Sequence, residues 1–153
     1  MDPDSDPALQ SLLAHYLAMP PVAAMGLDIG GAEAGALRLR APLSAHVNDK
    51  GCAFGGSLVS LMTLAGWGVA TLALERAGLH ADVFVASSEV RYRAPLFADL
   101  EAIARAEPAE LAAFVATLRD NGRASLDIEG RVPLPQGGNA CDMRSRYVAI
   151  ARA

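Results

Sequence analysis

A chain of 153 residues that is 52% hydrophobic and 20% charged can bury one core, and its length leaves no room for two independent ones. Its net charge of −4 offers no basic stripe for a phosphate backbone, which sets nucleic acid aside and leaves small molecules or proteins as the expected partners. Cys52 and Cys141 make no disulfide framework and have no zinc-type spacing, so free cytoplasmic thiols are expected.

In chain order, Met1 to Pro7 is acidic and proline-broken, unlike the basic and then apolar start of a secretory signal, and is expected to be a short disordered lead (residues 1–7) to a single domain spanning 1–153. From Ala8 to Met19 the residues Leu9, Leu12, Leu13, Tyr16 and Leu17 recur at helical spacing, and Pro20-Pro21 ends that helix. After Gly30-Gly31, the run Leu37-Arg38-Leu39-Arg40 alternates and stops at Pro42, so Ile29 to Arg40 is expected to be a hairpin. Gly55 to Leu79 has no polar stripe, and Gly78 is placed to stop it; this is the expected long central helix. Asp82 to Arg93 alternates, with Val90 and Tyr92 on one side, and Leu100 to Ala106 is a shorter strand. Leu111, Phe114, Val115 and Leu118 return to helical spacing before Asn121-Gly122. Ala124, Leu126, Ile128 and Val132, then Met143, Tyr147 and Ala149, follow period two, so two long strands joined by the turn Pro135 to Asn139 finish the chain.

The pattern is an α+β protein with an antiparallel sheet. A single sheet covers an all-round apolar helix on one side only, so a second copy is expected to cover the rest. The uncharged run from Gly51 to Leu74 is long enough to span a bilayer. Its glycines and hydroxyls lower its hydropathy and amphipathic strands flank it, so a buried helix is expected rather than membrane insertion.

The most informative stretch is Asn48 to Trp67, where a polar turn and a glycine pair stand at the mouth of that helix. Amides in a first helical turn lack intrahelical partners and face outward, a ready site for an anion or oxyanion. The string from Asn48 to Leu58 (Asn-Asp-Lys-Gly-Cys-Ala-Phe-Gly-Gly-Ser-Leu), with Leu64-Ala65-Gly66-Trp67-Gly68, resembles the signature of the YiiD C-terminal-type thioesterases. Ser88 to Pro95 (Ser-Glu-Val-Arg-Tyr-Arg-Ala-Pro) is similar to that family's second segment, and the likeness runs from about Pro20 to the C-terminus. The resemblance implies a hotdog fold, in which an antiparallel sheet wraps a long central helix, and a thioesterase acting on acyl groups.

Hotdog thioesterases commonly carry an asparagine, a His-Gly-Gly and then a carboxylate; at the matching spacings here stand Asn48, Phe54-Gly55-Gly56 and Thr63. The frame is kept while the histidine and the acid are gone. Within what the resemblance implies, the amide of Gly55 or Gly56 donates to the oxyanion, Thr63 holds the attacking water and Asn48 orients it. Thr63 lies about 12 Å from Gly55 along a helix axis that rises 1.5 Å per residue, so a single site using both must draw Thr63 from an antiparallel second copy. A hydroxyl needs a base, and Asp49 and Glu89 are the nearest carboxylates in sequence. Phe54, Gly56, Ser57, Ser88, Glu89, Arg91 and Arg93 are candidate substrate contacts, and Lys50, Arg91 and Arg93 could meet the phosphates of coenzyme A or acyl carrier protein.

Each of these residues also has a structural reading: Asn48 as a turn former, Thr63 bonded back to its own helix, Asp49 and Glu89 as solvated charges. Gly55-Gly56-Ser57-Leu58-Val59 lacks the last glycine of a nucleophile elbow, so a Ser57 triad is not expected. His15, His46 and His80 are scattered, which gives no metal site, and His46 is expected to be a surface-loop histidine. Cys52 reads as a small buried hydrophobe or a thiol activated by the helix start; Met62 and Trp67 read as core or acyl-pocket lining. No cofactor is expected beyond the coenzyme A moiety of the substrate. The functional expectation is a cytoplasmic acyl thioesterase, homodimeric or a dimer of dimers; the alternative is a non-catalytic module that binds acyl thioesters as a sensor or regulatory partner.

Overall fold

The computed structural model describes residues 4–153, and the lead reading of residues 1–3 lies outside them. Helix α1 spans Pro7–Leu17; the Asp6 side chain accepts from the Ala8 amide at 2.9 Å, so Asp6 and Pro7, expected in the lead, are the cap and first residue of a helix. Pro20-Pro21 ends α1 as expected and then opens a one-turn helix, α2 (Pro20–Ala23), because proline lacks only an N–H that a first turn leaves unpaired. The hairpin is β1 (Asp28–Glu33) and β2 (Ala36–Ala41), followed by the central helix α3 (Gly55–Arg76) and β3 (Ala81–Tyr92). Then come β4 (Leu100–Arg105), α4 (Pro108–Asn121), β5 (Arg123–Pro133) and β6 (Asn139–Ala151).

The strands form one six-stranded antiparallel sheet in the order β1-β2-β4-β5-β6-β3. Alternate residues turn inward and carry the core, including Leu37 and Leu39 of β2, Ala102 and Ala104 of β4, Leu126 and Ile128 of β5, and Met143 and Tyr147 of β6. α3 lies in the hollow of this curved sheet, packed against β2 through β6, with α1 against it from outside. This is the hotdog fold. Helix α3 has the length and mean hydropathy, 1.7, to cross a membrane, yet it is the core helix of this domain.

Two details of α3 depart from expectation. It stops at Arg76 rather than Leu79: Gly78 takes the left-handed conformation at φ +73°, its amide donates to Glu75 O at 2.9 Å, and the Leu79 amide donates to Leu74 O at 2.9 Å. The side that the sheet leaves open, as expected of a single sheet, is also not apolar throughout. Leu58, Leu61, Met62, Ala65, Val69 and Leu72 are buried against the sheet, whereas Gly56, Ser60, Thr63, Trp67 and Thr71 make a stripe that is exposed or half-buried. Small hydroxyls score close to neutral, which is why composition hid this face.

Two buried tyrosines hold the middle of α3. The Tyr147 hydroxyl donates to Thr63 O at 2.8 Å and the Tyr16 hydroxyl to Leu64 O at 2.6 Å. Burial pushes the pKa of both phenols up, so they stay protonated donors. Gly66 and Gly68 make this close approach possible: a Cβ on Gly66 would stand 2.3 Å from the Tyr147 hydroxyl, and one on Gly68 would stand 2.4 Å from both the Tyr16 hydroxyl and Leu37 Cδ2.

Strand β3 is 12 residues long and is an edge of the sheet. Of its residues only Ala81, Val83 and Val90 are even half-buried, while Phe84, Val85 and Tyr92 are exposed. A long apolar edge strand with one row of backbone groups unpaired is a ready template for another strand.

Candidate active site

The mouth of α3 is built by the loop from His46 to Phe54. The Phe54 amide donates to His46 O at 2.7 Å, the Ala53 amide to Leu96 O at 2.9 Å and the Asn48 amide to Cys52 O at 2.8 Å. Phe54 is the N-cap residue, so no side chain caps the helix. Phe54 O accepts from the amides of Ser57 at 3.0 Å and Leu58 at 3.2 Å, while among the described residues the amides of Gly55 and Gly56 have no acceptor. The mouth therefore offers two free donors at the positive end of a 22-residue helix.

Neither glycine is demanded by the packing around it. A Cβ on Gly55 would stand 3.1 Å from Tyr92 Cε1, and one on Gly56 would stand 2.6 Å from Phe54 Cε2. Tyr92 is 62% exposed and Phe54 57%, so both ring ends are free to swing aside. With Val47 and the 65%-exposed Phe97, which follows the Leu96 that pairs with Ala53, these rings put an apolar surface around the entrance.

The side chains expected at this site fall into separate groups. Asn48 braces its own loop: Oδ1 accepts from the amides of Lys50 at 2.8 Å and Cys52 at 3.2 Å, and Nδ2 reaches Cys52 Sγ at 3.3 Å. Asp49 is 81% exposed at its side chain and ion-paired with Lys50 at 2.9 Å. Thr63 lies on the open stripe well down the helix from the glycine pair, so the protomer does not bring them together. On β3 the register with β6 decides which side each residue faces. Ser88 is opposite the buried Ser145, their hydroxyls 2.8 Å apart, so it faces α3 together with Val90 and Tyr92. Glu89 and Arg91 are opposite Arg144 and Asp142 and stand on the other side of the sheet, where Arg93 also pairs with Asp142.

His46 corrects the expectation of a surface histidine, for it is 6% exposed. Its Nε2 lies 2.8 Å from Met25 O, and its Nδ1 lies 2.8 Å from Ser57 Oγ in the first turn of α3. Nothing in local spacing foretells this pair. The one available signal is an inversion of the usual pattern, with His46 buried and its neighbour Val47 exposed. Both cysteines are buried and free; burial first, and Asp142 second, push the Cys141 thiol up to about 11, which suits a core residue rather than a nucleophile.

A groove of about 490 Å³ runs along the open stripe between α1, α3 and β3, lined by Thr63, Trp67, Thr71, Leu79, Val83 and Tyr147. The Trp67 indole N–H donates to Val83 O at 2.9 Å across it, and among the described residues the buried Thr71 hydroxyl has no hydrogen-bond partner. A larger trough of about 810 Å³ lies away from α3 among Arg38, Arg91, Arg131, Glu89, Glu129 and Asp142. Its charges are of mixed sign, which makes it a poor host for an acyl chain. Among the described residues no three His, Cys, Asp or Glu side chains converge as metal ligands.

The family described as "Putative thioesterase (yiiD_Cterm)" matches residues 8–151, and the chain belongs to that family. The fold is similar to that of a protein of unknown function from Chlorobaculum tepidum, at 26% identity and a TM-score of 0.88 with 94% of each chain covered. It is also similar to a thioesterase-assigned protein from Shewanella oneidensis, at 23% identity and a TM-score of 0.84, covering 94% of this chain and 97% of that one. A structure from Pseudomonas aeruginosa titled as a probable thioesterase shares 23% identity and a TM-score of 0.78 over 93% and 96% of the two chains. No curated protein matches the chain.

Proposed function

We propose that this protein hydrolyses an acyl thioester of coenzyme A or of acyl carrier protein, at a site shared between two copies of the chain. The observation that carries this reading is the uncapped glycine start of α3, where two amides are free and packing alone does not call for glycine. A thioester carbonyl seated there gains charge on its oxygen during attack, and preorganised donors that meet that charge lower the barrier. Phe54, Gly56 and Tyr92 form the walls that the substrate passes, and Ser57 and Ser88 lie on the same side of the sheet.

The bare edge of β3 and the open stripe of α3 favour a homodimer, since pairing there gives both a cover. In an antiparallel pair the Thr63 of one copy approaches the glycine mouth of the other and holds the water there. Asn48 then serves through the loop it braces, and Asp49, on that same loop, is the better placed of the two candidate carboxylates because Glu89 faces the far side of the sheet. Lys50 is a rim cation for carrier phosphates; Arg91 and Arg93 reach only those parts of a carrier that wrap round the β3 edge. Two free buried cysteines suit the reducing cytoplasm, where such carriers occur.

The absence of a carboxylate at Thr63 favours a second reading, a module that binds acyl thioesters without cleaving them. A panel of acyl-coenzyme A substrates of rising chain length, with free thiol as the readout, separates the two. Thiol release with a chain-length optimum is expected; saturable binding with no release at any length would establish the binding module.

A further inference from the structure

The pairing of Ser57 with His46 gives the mouth of α3 a nucleophile that its sequence spacing concealed. Met25 O is a carbonyl and can only accept, so the imidazole proton facing it at 2.8 Å sits on Nε2. A ring whose one proton is on Nε2 has Nδ1 as an acceptor, and in that form the hydrogen bond 2.8 Å away is donated by the Ser57 hydroxyl. A serine hydroxyl pointed at a histidine nitrogen, with the far nitrogen held by a third group, is the arrangement that activates a serine. The carbonyl of Met25 fills the orienting place that a carboxylate fills in a Ser-His-Asp triad. Burial of His46 fixes its ring, whereas Ser57 is half-buried, next in sequence to the free amide of Gly56 and to the exposed stripe.

We propose that Ser57 is the nucleophile of this site and His46 its general base, with the Gly55 and Gly56 amides as the oxyanion donors; this rests on the thioesterase reading and replaces Asp49 as the base. Ser57 Oγ attacks the thioester carbonyl carbon while its proton passes to His46 Nδ1, and the carbonyl electron pair moves onto the oxygen facing the two amides. Collapse of that intermediate breaks the C–S bond, and the proton on Nδ1 goes to the departing sulfur. The carrier leaves as a thiol and an acyl ester remains on Ser57. Water then attacks the ester, giving its proton to Nδ1; the C–Oγ bond breaks, the fatty acid leaves and Ser57 recovers its proton. Thr63 from a second copy holds the water of this second half.

Two readouts test this. A fluorophosphonate probe should label Ser57, located by peptide mass, and His46→Gln should slow labelling by about a hundredfold, the lower range for loss of a general base. Acid-quenched protein incubated with acyl-coenzyme A should carry one acyl group on Ser57, and Ser57→Ala, which removes only a hydroxyl, should lose both the adduct and turnover. Absence of fluorophosphonate labelling, or Ser57→Ala hydrolysing thioesters at the wild-type rate, would overturn the nucleophile while leaving the thioesterase reading intact. Labelling at Ser57 without thioester hydrolysis would support the nucleophile and overturn the thioesterase reading. A merely structural Ser57–His46 bond would change stability but give neither label nor adduct.

Discussion

Replacing Gly66 with alanine should destabilise this protein, although the same change in an exposed helix interior stabilises by about 1 kcal/mol. The new Cβ would stand 2.3 Å from the Tyr147 hydroxyl and 2.7 Å from Cζ, inside a core where Tyr147 is fully buried. Overpacking of that kind costs about 1–3 kcal/mol, and displacing the hydroxyl also weakens its bond to Thr63 O, adding about 1 kcal/mol. A net loss of about 2 kcal/mol is expected, a fall in Tm of roughly 4–8 °C for a domain of this size. Gly68→Ala should behave alike, since its Cβ meets Tyr16 and Leu37 at 2.4 Å. The double variant Gly66→Ala/Tyr147→Phe, relieved of the nearest atom, should be less destabilised than the sum of its parts. Thermal and urea unfolding measure all of these, and a Gly66→Ala protein more stable than the wild type would show that the tyrosine clamps do not dictate the glycines of the mid-helix.

Gly55→Val should give the opposite pattern, a stable protein with little activity. The nearest atoms to the new Cβ are those of the movable ring of the exposed Tyr92, so the Tm should stay within a few degrees of wild type. The same methyls would stand where a thioester carbonyl must approach the two free amides, and an oxyanion deprived of such a donor loses about a hundredfold to a thousandfold in kcat. Turnover of a cognate acyl thioester should fall by about that factor. Full activity in Gly55→Val would remove this helix start from the chemistry.

How far the sequence could be read follows from the range of the forces involved. The strands, the long helix and the hairpin were legible because Leu37-Arg38-Leu39-Arg40 and Ala124 to Val132 carry period two and the uncharged run carries length, and both are local properties. The glycine pair was legible because glycine inside a helix costs stability and needs a reason. The His46–Ser57 bond was not, since its partners come together only when the loop before α3 folds onto Met25. The open stripe of α3 was hidden by Ser60, Thr63 and Thr71, which neither break an apolar pattern nor announce a polar face. Alternation along β3 separated Ser88, Val90 and Tyr92 from Glu89 and Arg91, but which set faces the helix is fixed by the register with β6. Alternation also does not tell an edge strand from an inner one, and as a sheet edge β3 leaves most of both its faces exposed.

If the glycine mouth of one copy and Thr63 of another form one site, two impaired variants should complement each other when mixed. Gly55→Val and Thr63→Ala, each impaired as a homodimer, should be co-refolded in equal amounts and assayed for thiol release from the best acyl-coenzyme A. Random pairing makes about half the molecules mixed dimers, each with one intact site and one carrying both changes, so about a quarter of wild-type activity should return. Activity no higher than the mean of the two parents would contradict the shared site.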